Sequence, residues 1–314
     1  MISIAEIASY VPEGFESNLD KFDKFNIGRE FINEKIGVYK VARKDAAQET
    51  SDLCVESFRR LEAKTDIDPS QVDCIVVCTQ NPDGHGLPHT SAIVHGKLGL
   101  PTRCASFDIS LGCSGYVYSL SLVRAFMEAN GLKTGLLFTA DPYSKIVDPD
   151  DKNTVLLFGD AAAVTLLSAA PNGANGHLVP KRFSFCSDGS LSPALCNRDG
   201  RLHMNGRAVF IYSATTVPGE ITGLVESAGL TFDDIDLFLL HQGSRYIVET
   251  IRKRLNLVEN KVPCRLWDQG NTVSSSIPLL LENHLHDDAL RRLLLCGFGV
   301  GLSTACGILE RHTD

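Results

Sequence analysis

Several features that would settle the class of this 314-residue chain are missing. Its opening, Met1-Ile2-Ser3-Ile4-Ala5-Glu6, meets an acid before any base, so a secretory signal is not expected. No apolar run reaches the roughly 18–20 residues of a membrane helix. No two cysteines stand as Cys-x-x-Cys, the spacing that would suggest a zinc site. Positive charge is in deficit, 30 Lys and Arg against 38 Asp and Glu, for a net charge of -8. That balance argues against nucleic acid as a partner. No stretch is long and polar enough to act as a flexible linker. The expectation is a cytoplasmic protein with no metal, no membrane and no nucleic acid.

What is present is ordinary in bulk and informative in pattern. Hydrophobic residues make up 44% and charged residues 22%, as in a soluble globular chain. Ten cysteines would suggest disulfides in a short secreted protein. Here most lie in apolar runs, such as Cys74 and Cys78 in Val72–Thr79, and read as buried thiols.

Strands and helices alternate. Val72–Thr79, Arg103–Ile109 and Gly135–Ala140 are short β-branched or apolar runs. His89–Leu98 and Ser114–Asn130 are helical stretches, the second stopped by Asn130-Gly131. Buried strands between amphipathic helices predict an α/β sheet covered on both faces. A weak internal repeat adds to this. Asp66–Asp73 precedes the strand at Cys74, and Leu230–Asp236 precedes one at Leu237–Leu240. Phe158-Gly159-Asp160 opens a small-residue strand, and Phe298-Gly299-Val300-Gly301 opens another. Two similar βα halves are therefore expected, residues 1–170 and 171–314, with the turn cluster Pro171–Gly176 between them.

Four motifs bear on chemistry. Phe107–Ser114 runs from a strand through Gly112 to Cys113 at a helix start. Unpaired N–H groups there favour a thiolate, so a lowered pKa and a nucleophilic sulfur are expected; a buried structural thiol is the other reading. Leu237–Leu240 ends in His241-Gln242-Gly243-Ser244, where a strand meets a loop, a common place for a catalytic group. Gln269-Gly270-Asn271 precedes a small-residue helix, which a plain cap would also explain. Gly297–Gly301 is a turn whose N–H groups suit an oxyanion.

In this order and spacing, the four motifs resemble the β-ketoacyl-acyl-carrier-protein synthase III family. Leu157–Ala162 and His203–Phe210 extend the likeness over nearly the whole chain. The resemblance implies a thiolase fold, a five-layered αβαβα architecture of two pseudo-repeated halves. It implies that Cys113 takes an acyl group from acyl-CoA as a thioester, with the Cys113 and Val300 backbone N–H groups holding the oxyanion. It implies that His241 and Asn271 stabilise the enolate left when malonyl-acyl carrier protein loses carbon dioxide. A homodimer is implied too. CoA and phosphopantetheine enter as substrates, with no resident cofactor.

The chain departs from the family in places. The usual His-Gln-Ala-Asn is His241-Gln242-Gly243-Ser244, so Ser244 stands where an Asn is usual. Around the CoA mouth, Phe31, Lys35 and Lys152 stand for a Trp and two Args, which leaves the donor open to another thioester carrier. Gly206, in the segment His203–Phe210, and Ser244 are expected among the substrate-binding residues. Leu87 stands for a Phe that crosses the dimer and limits acyl length, so a longer or wider acyl pocket is expected. Arg245, Arg252, Lys253 and Arg254 could dock an acidic carrier, or could be a solvated helix face. A non-condensing acyltransferase of the same fold stays open as the alternative, and a catalytically idle subunit as a weaker one.

Overall fold

The computed structural model describes residues 1–169 and 176–312. The expected boundary at 170/171, and all of the turn cluster except Gly176, lie outside those residues. Nine strands form one hydrogen-bonded sheet. Its order is Leu237–Leu240, Arg292–Gly299, Ser303–Arg311, Leu178–Ser187, Ile2–Tyr10, Ala162–Ala169, Thr134–Ala140, Cys74–Cys78, Ala105–Ile109. Each predicted strand is present, with ends that agree to within two residues.

The strand order explains the sequence repeat. The first half places its strands outward from Ile2–Tyr10 in chain order first, fifth, fourth, second, third. The second half starts from Leu178–Ser187 and continues with Ser303–Arg311, Arg292–Gly299 and Leu237–Leu240. The strand after the Asp66–Asp73 segment and the strand after Leu230–Asp236 occupy corresponding positions. So do the strands that follow the two Phe-Gly turns. Where the halves meet, Ile2–Tyr10 and Leu178–Ser187 share one register pair among the described residues, Ile4 with Leu178.

Side-chain alternation sorts the core into layers. Val76 faces a central cluster, while Ile75 and Val77 face an outer one. Leu237 and Leu239 face the same central cluster from the other half, while Phe238 and Leu240 face away. The central cluster is filled by Tyr116, Val117, Leu120 and Val123 of the Gly115–Asn130 helix and by Ile277, Leu280 and Leu281 of the Ser276–Glu282 helix. Thr50–Glu62 covers one outer face, with Leu53, Phe58 and Leu61. Gly206–Ser227 and Arg245–Arg254 cover the other, with Val217, Ile221, Val248 and Ile251. Helix, sheet, helix, sheet, helix is the expected five-layered arrangement.

Gly206–Ser227 is the one helix among the described residues long and apolar enough to match a membrane span by composition. Reading the sequence by uninterrupted runs passed over it, because Arg207, Glu220 and Glu226 interrupt the run. Its apolar stripe packs into the outer core.

Candidate active site

Cys113 sits between the strand Ala105–Ile109 and the helix Gly115–Asn130, one residue ahead of the helix cap. The turn is tight because its neighbours leave no room. A Cβ on Gly115 would lie 2.4 Å from the Cys78 sulfur. Across from it the second half contributes Gly299 at φ +148, where a Cβ would fall 2.8 Å from both Cβ and Sγ of Cys113. Only glycine lets the two halves approach so closely there.

Cys113 is 3% exposed, and burial pushes its thiol up to about 12. Hydrogen bonding to the backbone N–H groups of Val300 and Cys113 works against that rise, and Asp141 adds to it. The expected lowering at a helix start is therefore overturned for the resting enzyme, because desolvation outweighs the local N–H groups. The sulfur rests as a thiol and must lose its proton as it reacts. The same two N–H groups are those expected to hold an oxyanion.

His241 closes the strand Leu237–Leu240 and is 1% exposed. Its Nδ1 lies 2.7 Å from the Ser276 hydroxyl, and its ring meets Phe298 edge-on at 5.4 Å. Burial lowers its pKa to about 3, so the ring is neutral at physiological pH. When the Ser276 hydroxyl donates to Nδ1 the ring proton sits on Nε2, and the Val273 backbone offers the ring a further hydrogen bond. Asn271 is held through its backbone by the first half: its N–H donates to the Leu157 carbonyl at 2.8 Å, and its carbonyl accepts from Gly159 at 3.0 Å. Its Oδ1 accepts from the Val273 N–H at 2.9 Å, and its Nδ2 lies 3.4 Å from the Gly243 carbonyl. Its side chain is thereby oriented from both ends.

Cys113, His241 and Asn271 line one cavity of about 400 Å³. Phe31, Lys35, Lys152, Gly206 and Ser244 line it as well. Among the described residues that line it there is no carboxylate and no second thiol. No cluster of three His, Cys, Asp or Glu suited to a metal occurs among the described residues.

Residues 107–189 match the family described as 3-oxoacyl-[acyl-carrier-protein (ACP)] synthase III, and residues 225–311 match its C-terminal part. A β-ketoacyl-[acyl-carrier-protein] synthase III of Neisseria meningitidis is 32% identical over 323 residues, covering 98% of each chain. One from Caldanaerobacter subterraneus is 31% identical over 318 residues, covering 96% of this chain and 95% of its own. A crystal structure of a 3-oxoacyl-(acyl-carrier-protein) synthase III superposes with a TM-score of 0.91 at 33% identity, covering 99% of both chains. The chain belongs to the 3-oxoacyl-[acyl-carrier-protein] synthase III family. It is an acyltransferase of the decarboxylating, condensing type.

In this synthase III family member the mouth of the cavity is built differently from its floor. Phe31 and Lys35 stand on a six-residue π-helical turn, Phe31–Ile36. Lys152 lies over the Phe31 ring at 5.7 Å, and Lys35 over Tyr246 at 4.7 Å. Tyr246 stacks on Phe210 at 5.1 Å. Tyr246 and Phe210 both line the cavity and were missed in the sequence. Their signal was an aromatic near each of two motifs, which core packing explains equally well. Ser276, Val273 and Asp141 were missed too.

The outer residues separate. Ser244 spends its hydroxyl as a helix cap, accepting the Ile247 N–H at 3.3 Å. Leu87 is 89% exposed and does not line the cavity of its own chain. Arg252 is half-buried, bound to Glu249 at 2.8 Å and to the Leu257 carbonyl at 2.8 Å. It is committed to its own helix end, which corrects its place among the docking cations. Arg245, Lys253 and Arg254 are exposed.

Proposed function

We propose that Cys113 takes an acyl group from acyl-CoA and passes it to the carbanion formed when malonyl-acyl carrier protein loses carbon dioxide. The Cys113 sulfur attacks the thioester carbonyl, the C–S bond to CoA breaks, and CoA leaves with the proton. The Cys113 and Val300 N–H groups hold the oxyanion. In the second step the bond from the malonyl carbon to its carboxylate breaks. His241 Nε2–H and Asn271 Nδ2 donate to the enolate oxygen. The enolate carbon bonds to the acyl carbon, the bond to Cys113 breaks, and the thiol takes a proton.

One observation carries this reading. The cavity holds a thiol, a neutral histidine and an amide, and no carboxylate among its described lining residues. A condensation that removed a C–H proton would need a base; His241, with its pKa near 3, is a poor one. Loss of carbon dioxide forms the carbanion with no base and asks only for donors. Cys296 and Cys306, the thiols nearest the glycine turn in sequence, do not line the cavity. Relatives named as condensing synthases leave transfer without condensation as the less favoured reading. The test is release of labelled carbon dioxide from malonyl-acyl carrier protein, with intact mass to detect the acyl-Cys113 adduct. Acyl transfer with no carbon dioxide would sink it.

The enzyme acts in this reading as a cytoplasmic homodimer without a resident cofactor. The outermost strand, Ala105–Ile109, is half-buried along its length and has a free edge. Its Phe107 meets Phe126 of the helix Gly115–Asn130, which at four-residue spacing also carries exposed Leu122 and Tyr118, the latter stacked on Phe185. The Leu87 loop is tied to that strand, since Thr90 and Ser91 donate to Asp108 at 2.6 and 2.8 Å. A two-fold across this edge would carry Leu87 toward the partner's acyl pocket. Leu122→Arg should yield a monomer in sedimentation. Acyl-CoAs of rising length would test Leu87, and strict acetyl preference would exclude its role. Phe31, Lys35, Lys152 and Gly206 form the thioester mouth in this reading, and Ser244 lines its inner side. Arg245, Lys253 and Arg254 remain to meet an acidic carrier.

A further inference from the structure

Behind the cavity, outside its lining residues, lies a buried polar cluster whose members do not themselves react. Three consecutive serines, each at most 1% exposed, take three different partners. Ser276 meets His241 Nδ1 at 2.7 Å. Ser275 donates to the Thr139 carbonyl at 3.1 Å and lies 3.0 Å from the Thr139 hydroxyl. Ser274 donates to Asp141 Oδ2 at 2.8 Å. Asp141 also accepts the Gln80 N–H at 2.7 Å. No cationic side chain pairs with Asp141 among the described residues, although it is fully buried. A carboxylate buried without a counter-charge is costly, so its partners must be specific.

The serines follow a backbone that needs holding. Val273 has φ +53, a region a β-branched residue avoids, and such strain lasts only where the surroundings impose it. The Val273 N–H is the group that orients Asn271. A rigid 271–276 segment therefore sets both donors, Asn271 directly and His241 through Ser276. The segment belongs to the second half, whereas Thr139 and Asp141 end a strand of the first.

We infer that Asp141 is a positioning residue for the condensation step: by anchoring Ser274 it holds the 271–276 segment so that Asn271 and His241 aim together at the enolate oxygen. This rests on the two-step reading above. The acylation step does not depend on it, since the oxyanion groups there are backbone N–H groups of Cys113 and Val300. An anion at Asp141 in fact opposes thiolate formation at Cys113.

The experiment separates the two half-reactions in the full-length enzyme. Ser274→Ala removes one buried oxygen without adding bulk and is the variant expected to fold; Asp141→Ala and Asp141→Asn accompany it, each checked by melting. Acyl-Cys113 formation from acyl-CoA, followed by intact mass, should fall by no more than about twofold from wild type in any of the three. Carbon dioxide release and product formation should fall on the order of 10²-fold in Asp141→Ala and Ser274→Ala, the scale of a small misplacement of catalytic groups. Asp141→Asn should recover most of that loss, because its amide oxygen accepts the Gln80 N–H and its amide N–H donates to the Ser274 hydroxyl. Equal loss of both half-reactions, or full condensation in Ser274→Ala, overturns the inference. Wild-type enzyme that releases no carbon dioxide overturns the two-step reading, and the inference with it.

Discussion

The floor of the cavity and its mouth are held by different forces. At the floor, Cys113, His241 and Asn271 are 1–3% exposed and fixed by backbone pairing, close glycine contacts and buried hydroxyls. At the mouth, Phe31, Lys35, Lys152 and Tyr246 are held by ring–cation contacts and side-chain stacking. Backbone pairing tolerates little displacement, because each strand register is shared with its neighbours. Cation–ring contacts at an exposed site are worth only about 0.5–1 kcal/mol and leave the side chains free to rearrange. A floor fixed this way suits a reaction whose charge appears at one point. A mouth built this way can accept donors of more than one shape.

The comparison breaks if substitutions at the floor and at the mouth have similar effects. Cys113→Ala should abolish the acyl adduct in intact mass, the largest effect expected, with the fold retained in circular dichroism. Asn271→Ala should lower the condensation rate by about 10²–10³, the cost of removing one donor to a developing oxyanion. Acylation of Cys113 should persist in that variant, a split that steady-state and single-turnover measurements would resolve.

Stability against pH sharpens the same contrast, because burial moves His241 on the floor and Asp141 behind it out of their usual range. His241 falls to about 3 from an ordinary 6.5. Between those values the unfolded chain binds a proton that the folded chain refuses, so stability declines as pH falls. Burial raises Asp141 to about 7 from 3.8. Between those values the folded chain keeps a proton that the unfolded chain releases, so stability declines as pH rises. Melting midpoints of His241→Gln should lose the first decline, and those of Asp141→Asn the second. Unchanged slopes in both would remove titration from the account.

At the mouth, Lys152→Ala should raise KM for acyl-CoA about two- to fivefold with kcat nearly unchanged, the scale of one exposed cation contact. A fall in kcat instead would mean that the mouth reaches the chemistry.

The same division separates what could be read in the sequence from what could not. Cys113 follows Gly112, Asn271 follows Gly270 and His241 ends a strand, and such local punctuation survives in one dimension. The repeated Phe-Gly turns gave away the two halves. Ser276, Val273 and Asp141 carried no such mark. A serine acquires a role only when a histidine 35 positions away is folded against it. The positive φ of Val273 runs against its own propensity and is imposed by tertiary contacts. The lowered thiol pKa failed for the same reason, since the helix start is local while burial is a property of the whole fold. Arg252 read as a free cation because its partner Glu249, three residues back, is as readily read as solvated.

The seam between the two halves of the sheet has a mechanical meaning. Among the described residues one register pair, Ile4 with Leu178, joins the inner strands of the two halves. Chain hydrogen bonds therefore resist separation weakly there, and the load passes to the apolar filling around Tyr116, Leu120, Ile277 and Leu280. Pulled apart, the molecule would open like a book whose pages are glued and whose spine is barely stitched. Its amides in the Gly115–Asn130 helix should be among the last to exchange with deuterium, while those beside the seam give way early.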